Sequence, residues 1–171
     1  MNFLKNSKCY LSGAIEHDNS DWNWRTEPVR CLTEFFGIDI FDPFADPKQQ
    51  WVPHLKKARE ECNYEEMARI ADSFVHKDLG TLDRSDFLIA YLPKNIPTVG
   101  THHEIISANH LKRPTLLVCP EGKNYVPLWY YGFIPHEFMF GSWEELYEYL
   151  KEVDEGKHKE NKRWRFVYKL V

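Results

Sequence analysis

Glu104 places a carboxylate at the opening of a segment that reads as a helix, just after a loop that ends in Gly100. Two readings of it stand side by side. The spacing Thr101-x-x-Glu104 is that of a capping box, in which the threonine hydroxyl and the glutamate each satisfy a free backbone N–H. The other reading is a nucleophile. The start of a helix carries partial positive charge and keeps a nearby carboxylate ionised, and Gly100 lets a ligand approach the backbone closely. A second carboxylate, Asp78, precedes the strand that feeds this loop. It can serve as an acid or hydrogen-bonding group beside Glu104, or simply cap a short helical turn opened by His76-Lys77-Asp78. Local sequence leaves both choices open.

The elements that must position these groups are legible around them. Phe87-Leu88-Ile89-Ala90-Tyr91-Leu92 is a short apolar run with polar flanks, as in a buried parallel strand. A helix from Thr101 to about Leu111 follows, Pro114 ends it, and Thr115-Leu116-Leu117-Val118 is the next strand. That is one βαβ unit, and its ligands belong at the carboxyl ends of the strands. Residues 8–13 read as a first strand, with Ser12-Gly13 as a small turn at that same edge. Asp21 caps a helix over about 22–36, which Gly37 ends, and Arg25 on it is either a buried clamp or a solvated residue. Residues 38–41 form a second strand. The proline-containing stretch 42–53 is the longest irregular one, either a lid over the site or an ordinary surface loop.

Helical composition covers 55–75, with a break at Cys62-Asn63. Asp86 reads as orienting the entry to its strand. Beyond Cys119 comes a turn holding Asn124, and then the aromatic run 125–133, a base-stacking wall or a subunit interface. Residues 138–140 make the last strand, and Ser142-Trp143-Glu144-Glu145 is a capping box that starts a helix to about Leu150. From about 151 the tail is charged and exposed, and 165–171 reads as an edge strand or a segment docked on a neighbouring subunit. The whole predicts a single-domain α/β fold over 1–171, with a doubly wound, mostly parallel, flavodoxin-like sheet.

Composition narrows the function. The chain has 171 residues with net charge −4, 43% hydrophobic, 28% charged and 15% aromatic. It has no basic excess of the kind a nucleic-acid polymer demands, so a small molecule is the expected ligand. Cys9, Cys31, Cys62 and Cys119 show no metal-ligand spacing, and Cys9 and Cys119 read as buried hydrophobes. His102-His103-Glu104 points its side chains in different directions, and no HExxH spacing occurs, so no metal is expected. No signal peptide or membrane-length apolar run is seen, and a cytoplasmic location is expected.

The ordered set of motifs resembles the nucleoside 2-deoxyribosyltransferase family over roughly residues 8–150. It comprises Tyr10-Leu11-Ser12-Gly13-Ala14-Ile15 with Trp24-Arg25 behind it; Asp78 followed by Asp86; Pro97-Thr98-x-Gly100-Thr101-x-x-Glu104-Ile105-x-x-Ala108; and Lys112-Arg113-Pro114. The resemblance implies that Glu104 is the nucleophile and Asp78 an active-site carboxylate contacting base or sugar. It implies substrate contacts at Ser12, Gly13, Ala14, Arg25, Thr98, Gly100 and Thr101. It also implies an oligomer, at least a dimer, in which a neighbour's asparagine, here Asn124, reaches the sugar's 5′ side. No cofactor is implied, and the partners are a nucleoside or nucleotide and a free base.

One departure matters. Many transferases carry an aspartate where this chain has Thr98, and related nucleotide hydrolases carry a serine near there that contacts phosphate. A 2′-deoxynucleoside 5′-monophosphate hydrolase is therefore the alternative activity. Against it, the first loop lacks those hydrolases' arginine, and Glu16 and Asp18 would repel phosphate. A nucleotide-binding sensor without chemistry is the third reading.

Overall fold

The computed structural model describes residues 2–15, 22–45 and 51–168. The acidic residues Glu16 and Asp18, the expected cap Asp21, and the centre of the 42–53 stretch lie outside the described residues. Five strands form one sheet: β1 (Lys8–Gly13), β2 (Asp39–Phe41), β3 (Phe87–Tyr91), β4 (Thr115–Val118) and β5 (Met139–Phe140). All neighbours pair in parallel, in the order β2-β1-β3-β4-β5. This is the doubly wound, flavodoxin-like arrangement expected from the sequence.

Parallel strands covered on both faces must be apolar throughout, and β3 and β4 are buried almost end to end. The chain leaves β1 toward β2 on one side, then crosses back to place β3 on the other. That reversal opens a crevice at the carboxyl ends of β1 and β3. The helices α1 (Thr26–Phe36) and α6 (Trp143–Asp154) pack together, as do α3 (Tyr64–Leu82) and α4 (Val99–His110).

Several local expectations hold. Gly37 ends α1 with φ 66°, and its N–H bonds back to Leu32 and Thr33. Cys62, with φ 52°, separates α2 (Val52–Glu60) from α3, and the Asn63 side chain caps α3 at the Glu66 N–H. Asp86 accepts the Lys8 N–H at 2.7 Å and so ties the entries of β1 and β3. Ser142 caps α6 at the Glu145 N–H, and Glu145 reaches back to the Gly141 N–H.

Three expectations are corrected. The residues around Asp78 do not open a separate turn, because α3 runs unbroken to Leu82 and Asp78 sits within its last turns. The helix bearing Glu104 begins at Val99, not Thr101. The described part of the tail, 162–168, is helical and not an edge strand. A 3-10 turn (Lys162–Trp164) and α7 (Arg165–Tyr168) pack on the chain's own core. Charge dominates that sequence and hides one anchor: Trp164 is fully buried against Phe87 and donates its indole N–H to the Tyr149 hydroxyl at 2.8 Å. The Tyr168 hydroxyl adds a bond to the Val153 carbonyl.

Register fixes which residues share a face. Ser12 pairs with Ala90 and Gly13 with Tyr91, so Tyr10 and Ser12 look to one side of the sheet and Gly13 and Tyr91 to the other. On the Gly13 side lies a stack of three rings. Trp24 is 4.4 Å from Tyr91, and Trp143 is 5.8 Å from both. Gly13 is obligatory there, because a Cβ would come within 2.5 Å of the Trp24 ring.

Two stability measurements check this account. Gly13→Ala should destabilise the fold by about 1–3 kcal/mol in urea titrations, the scale of overpacking, and a neutral result would contradict the ring contact. Trp164→Ala should cost roughly 3–5 kcal/mol if the tail belongs to the core.

Candidate active site

β1 and the first turns of α4 meet toward the carboxyl edge of the sheet. Because α4 begins at Val99, Thr98 is its N-cap position and Glu104 lies in its second turn. The capping-box reading of Glu104 therefore fails. Thr98 is buried and its hydroxyl donates to the Thr101 hydroxyl, which turns both side chains inward.

Glu104 instead faces β1. The Tyr10 hydroxyl donates to its Oε1 at 2.8 Å, and the Ser12 hydroxyl donates to Oε2. Both carboxylate oxygens thus accept hydroxyl protons, an arrangement suited to the ionised acid. Tyr10 and Ser12 are two residues apart on one strand, so the period of the strand aims both at one target. Tyr10 itself is nearly fully buried. Burial, with the negative charges of Glu104 and Asp78 adding to it, pushes the phenol far above its ordinary value. Tyr10 is therefore a fixed neutral donor. Asp78 contributes to the same effect, so both carboxylates singled out in the sequence act electrostatically on Tyr10.

Arg25 resolves to the buried clamp. It is 3% exposed, donates to the Leu11 carbonyl at 3.3 Å and the Gly13 carbonyl at 3.1 Å, and pairs with Asp42 at 2.8 Å. Burial pushes its pKa down, and the charges of Asp42 and Glu104 push it back up. Its role here is to bind the ends of β1 and β2 while contributing positive potential near Glu104. Gly13 makes room for Trp24, and Ala14 is buried beside it. At Gly100 the surroundings are open, with nothing within 4 Å of where a Cβ would stand. Gly100 lies in the first turn of α4.

Other expected groups are not brought to Glu104 within the chain. Asn124 lies exposed in a 3-10 turn, its Oδ1 folded over Gly122, whose φ is 118°. The aromatic run 125–133 divides. Tyr130, on the short helix α5 (Leu128–Tyr131), turns inward, stacks on His102 and is hydrogen-bonded to it. Leu128 and Trp129 are 86% and 79% exposed. Sequence reasoning missed Tyr10 as a site residue. The signal available was its i, i+2 relation to Ser12 on a strand pointing at the Glu104 helix. It also missed Asp42, which the buried guanidinium requires.

No family model and no curated protein matches this chain. A solved structure of a 2-deoxyribosyltransferase from the psychrotolerant bacterium Bacillus psychrosaccharolyticus does match, with TM-score 0.55. The chain has the fold of a 2-deoxyribosyltransferase. Sequence identity is 17%, and the match covers 82% of this chain and 90% of that one. At that identity the likeness establishes the fold. Among the described residues no helix is long and apolar enough to cross a membrane, and no group of three or more His, Cys, Asp and Glu is arranged to hold a metal ion.

The His102–Tyr130 contact makes a pH prediction. Burial holds His102 below its ordinary pKa, so the unfolded chain takes up this proton first as pH falls. That part of the stability is intact above the unfolded value of about 6.5 and is lost on acidification through it. His102→Gln should lose less stability than the parent protein between pH 7.5 and pH 5.5 in urea titrations, and equal losses would refute burial of His102 as a source of acid sensitivity.

Proposed function

We propose that this protein cleaves the N-glycosidic bond of a 2′-deoxynucleoside, with Glu104 as nucleophile, and passes the sugar to a second base. The observation that carries the proposal is the grip of the Tyr10 and Ser12 hydroxyls on the two oxygens of Glu104, with Asp78 alongside, at the carboxyl edge of a 2-deoxyribosyltransferase fold.

The chemistry is a double displacement. A Glu104 oxygen bonds to the anomeric carbon as the carbon–nitrogen bond breaks, through an oxocarbenium-like transition state. The bonding pair leaves with the base, which Asp78 assists by a hydrogen bond or a proton. An incoming base then attacks the same carbon and frees Glu104, so the sugar keeps its configuration. The neutral Tyr10 and Ser12 donors hold the carboxylate in one rotamer, and the nearby charge of Arg25 favours its ionised form. No cofactor enters this scheme.

The monophosphate hydrolase reading rested on Thr98 as a phosphate contact. Its hydroxyl is buried against that of Thr101 and not turned out to solvent, which favours transfer as the first reading. We further propose a homo-oligomer as the working unit, a second copy covering the exposed Leu128 and Trp129 on α5 and presenting Asn124 to its neighbour's site. These residues follow one another within a few positions after the carboxyl end of β4, and all are exposed.

Incubating the protein with 2′-deoxynucleosides or their monophosphates, with and without a free base, separates the readings. Base exchange supports transfer, hydrolysis alone assigns a hydrolase, and no turnover of either substrate favours a sensor. Glu104→Ala should abolish nearly all turnover while the fold survives. Asp78→Asn and Tyr10→Phe should each slow it by about 10²-fold or more, the scale of a lost acid–base or positioning group. Full activity in Glu104→Ala ends the proposal. For the assembly, mixing inactive Glu104→Ala with inactive Asn124→Ala protein should restore part of the activity. Light scattering that shows an active monomer of 20.4 kDa refutes shared sites.

A further inference from the structure

At the opposite, amino-terminal edge of the sheet is a cleft of about 400 Å³, formed where the segment before β3, the turn before β4 and the docked tail converge. Five of its lining side chains are cations: Arg84, Lys112, Arg113, Lys162 and Arg163. Two are carboxylates, Asp83 and Asp86. The cleft thus has an excess of three positive charges in a chain whose net charge is −4. Like charges gathered around one concavity repel one another and raise the local potential for an anion.

The cations divide into wall and reach. Arg113 donates to the Leu82 and Asp83 carbonyls, and Arg163 donates to the Arg113 carbonyl and the Asn109 side chain. Both guanidinium groups are pinned by neutral acceptors, so their charge is held in place without being neutralised. Burial also pushes the pKa of Arg163 down. Of the carboxylates, Asp86 is turned to the Lys8 N–H. Lys112 and Lys162 are exposed at the mouth and make no ion pair among the described residues. Lys112 has φ 59°, at the position just past α4 where glycine or asparagine is the usual occupant. A lysine is held there against its conformational preference, which directs attention to its charge. Leu111, Pro114 and Phe166 supply an apolar wall.

We propose that this cleft binds a small molecule bearing a di- or triphosphate chain. A chain of phosphates carries several negative charges that can meet several of the cleft's five cations at once, and each phosphate offers acceptors to guanidinium and ammonium donors. The apolar wall offers a seat for the uncharged body of a nucleotide. The inference does not depend on the activity at Glu104, because the two sites lie at opposite ends of the strands.

Isothermal titration calorimetry with inorganic triphosphate and, separately, adenosine triphosphate tests it. The expected result is saturable binding of one molecule per chain, weakened about tenfold or more in Lys112→Glu/Lys162→Glu, which reverses two charges at the mouth. Lys56→Glu/Lys57→Glu, on the exposed face of α2, makes the same charge change elsewhere and should bind as the parent does. Tighter binding of the nucleotide assigns the apolar wall to its base and sugar, whereas equal binding assigns the site to the phosphate chain alone. Absence of saturable binding of both compounds, or equal weakening in the two double variants, overturns the proposal. Thermal melts of both variants confirm that each is folded at the titration temperature.

Discussion

A guanidinium brought almost completely out of water is the constraint around which the carboxyl edge of this sheet is built. Arg25 keeps its charge only because Asp42 and the Leu11 and Gly13 carbonyls surround it. Removing such a charge from water costs several kcal/mol, so the partners must be in place for the fold to form at all. The demand propagates along the chain. Two of the acceptors are main-chain groups of β1 and the third follows β2, so satisfying Arg25 locks the ends of these strands together. Trp24, its neighbour in sequence, then lies against β1, its ring 4.3 Å from the guanidinium. That approach is possible only where residue 13 has no side chain.

The other face of β1 inherits the benefit. With Gly13 and Tyr91 committed to the ring stack, Tyr10 and Ser12 are left facing α4, and their hydroxyls converge on Glu104. A strand locked from behind is a rigid mount, and rigid mounts hold a reacting group within the fraction of an ångström that chemistry needs. Charge lies on both sides of the strand: Arg25, paired with Asp42, behind it and Glu104 in front. The buried phenol of Tyr10 stays neutral between them.

How much of this was legible in the sequence follows from the range of the forces involved. The parallel strands were readable because burial on both faces demands apolar runs, as in Phe87 to Tyr91. The helix end at Gly37 and the break at Cys62-Asn63 were readable because backbone conformation limits the residue types allowed there. Glu104 and Asp78 stood out through spacing, yet their local setting misled. Thr101-x-x-Glu104 fits a capping box, and only the tertiary pull of two hydroxyls from β1, more than ninety positions away, turns the glutamate elsewhere. Asp42 could not be chosen from its neighbours as the partner of Arg25, since ion pairing across strands leaves no local signature. The tail was misread for a related reason. Its charge pattern is that of an exposed segment, and a single tryptophan in a pocket made by α6 and β3 decides the outcome.

The two edges of the sheet therefore differ in kind. At the carboxyl edge a buried cation is paired with Asp42, and the Glu104 carboxylate is held by two hydroxyls. At the amino edge, cations outnumber carboxylates and are restrained by carbonyls that leave their charge uncompensated. Helix α4 connects the two: Glu104 stands in its second turn, and Lys112 follows its last. Macrodipole and side chains act together along it, because the negative end of the helix favours a lysine where the cleft also collects cations. The fold places a carboxylate held by hydroxyls and a cleft rich in cations at opposite ends of the same strands.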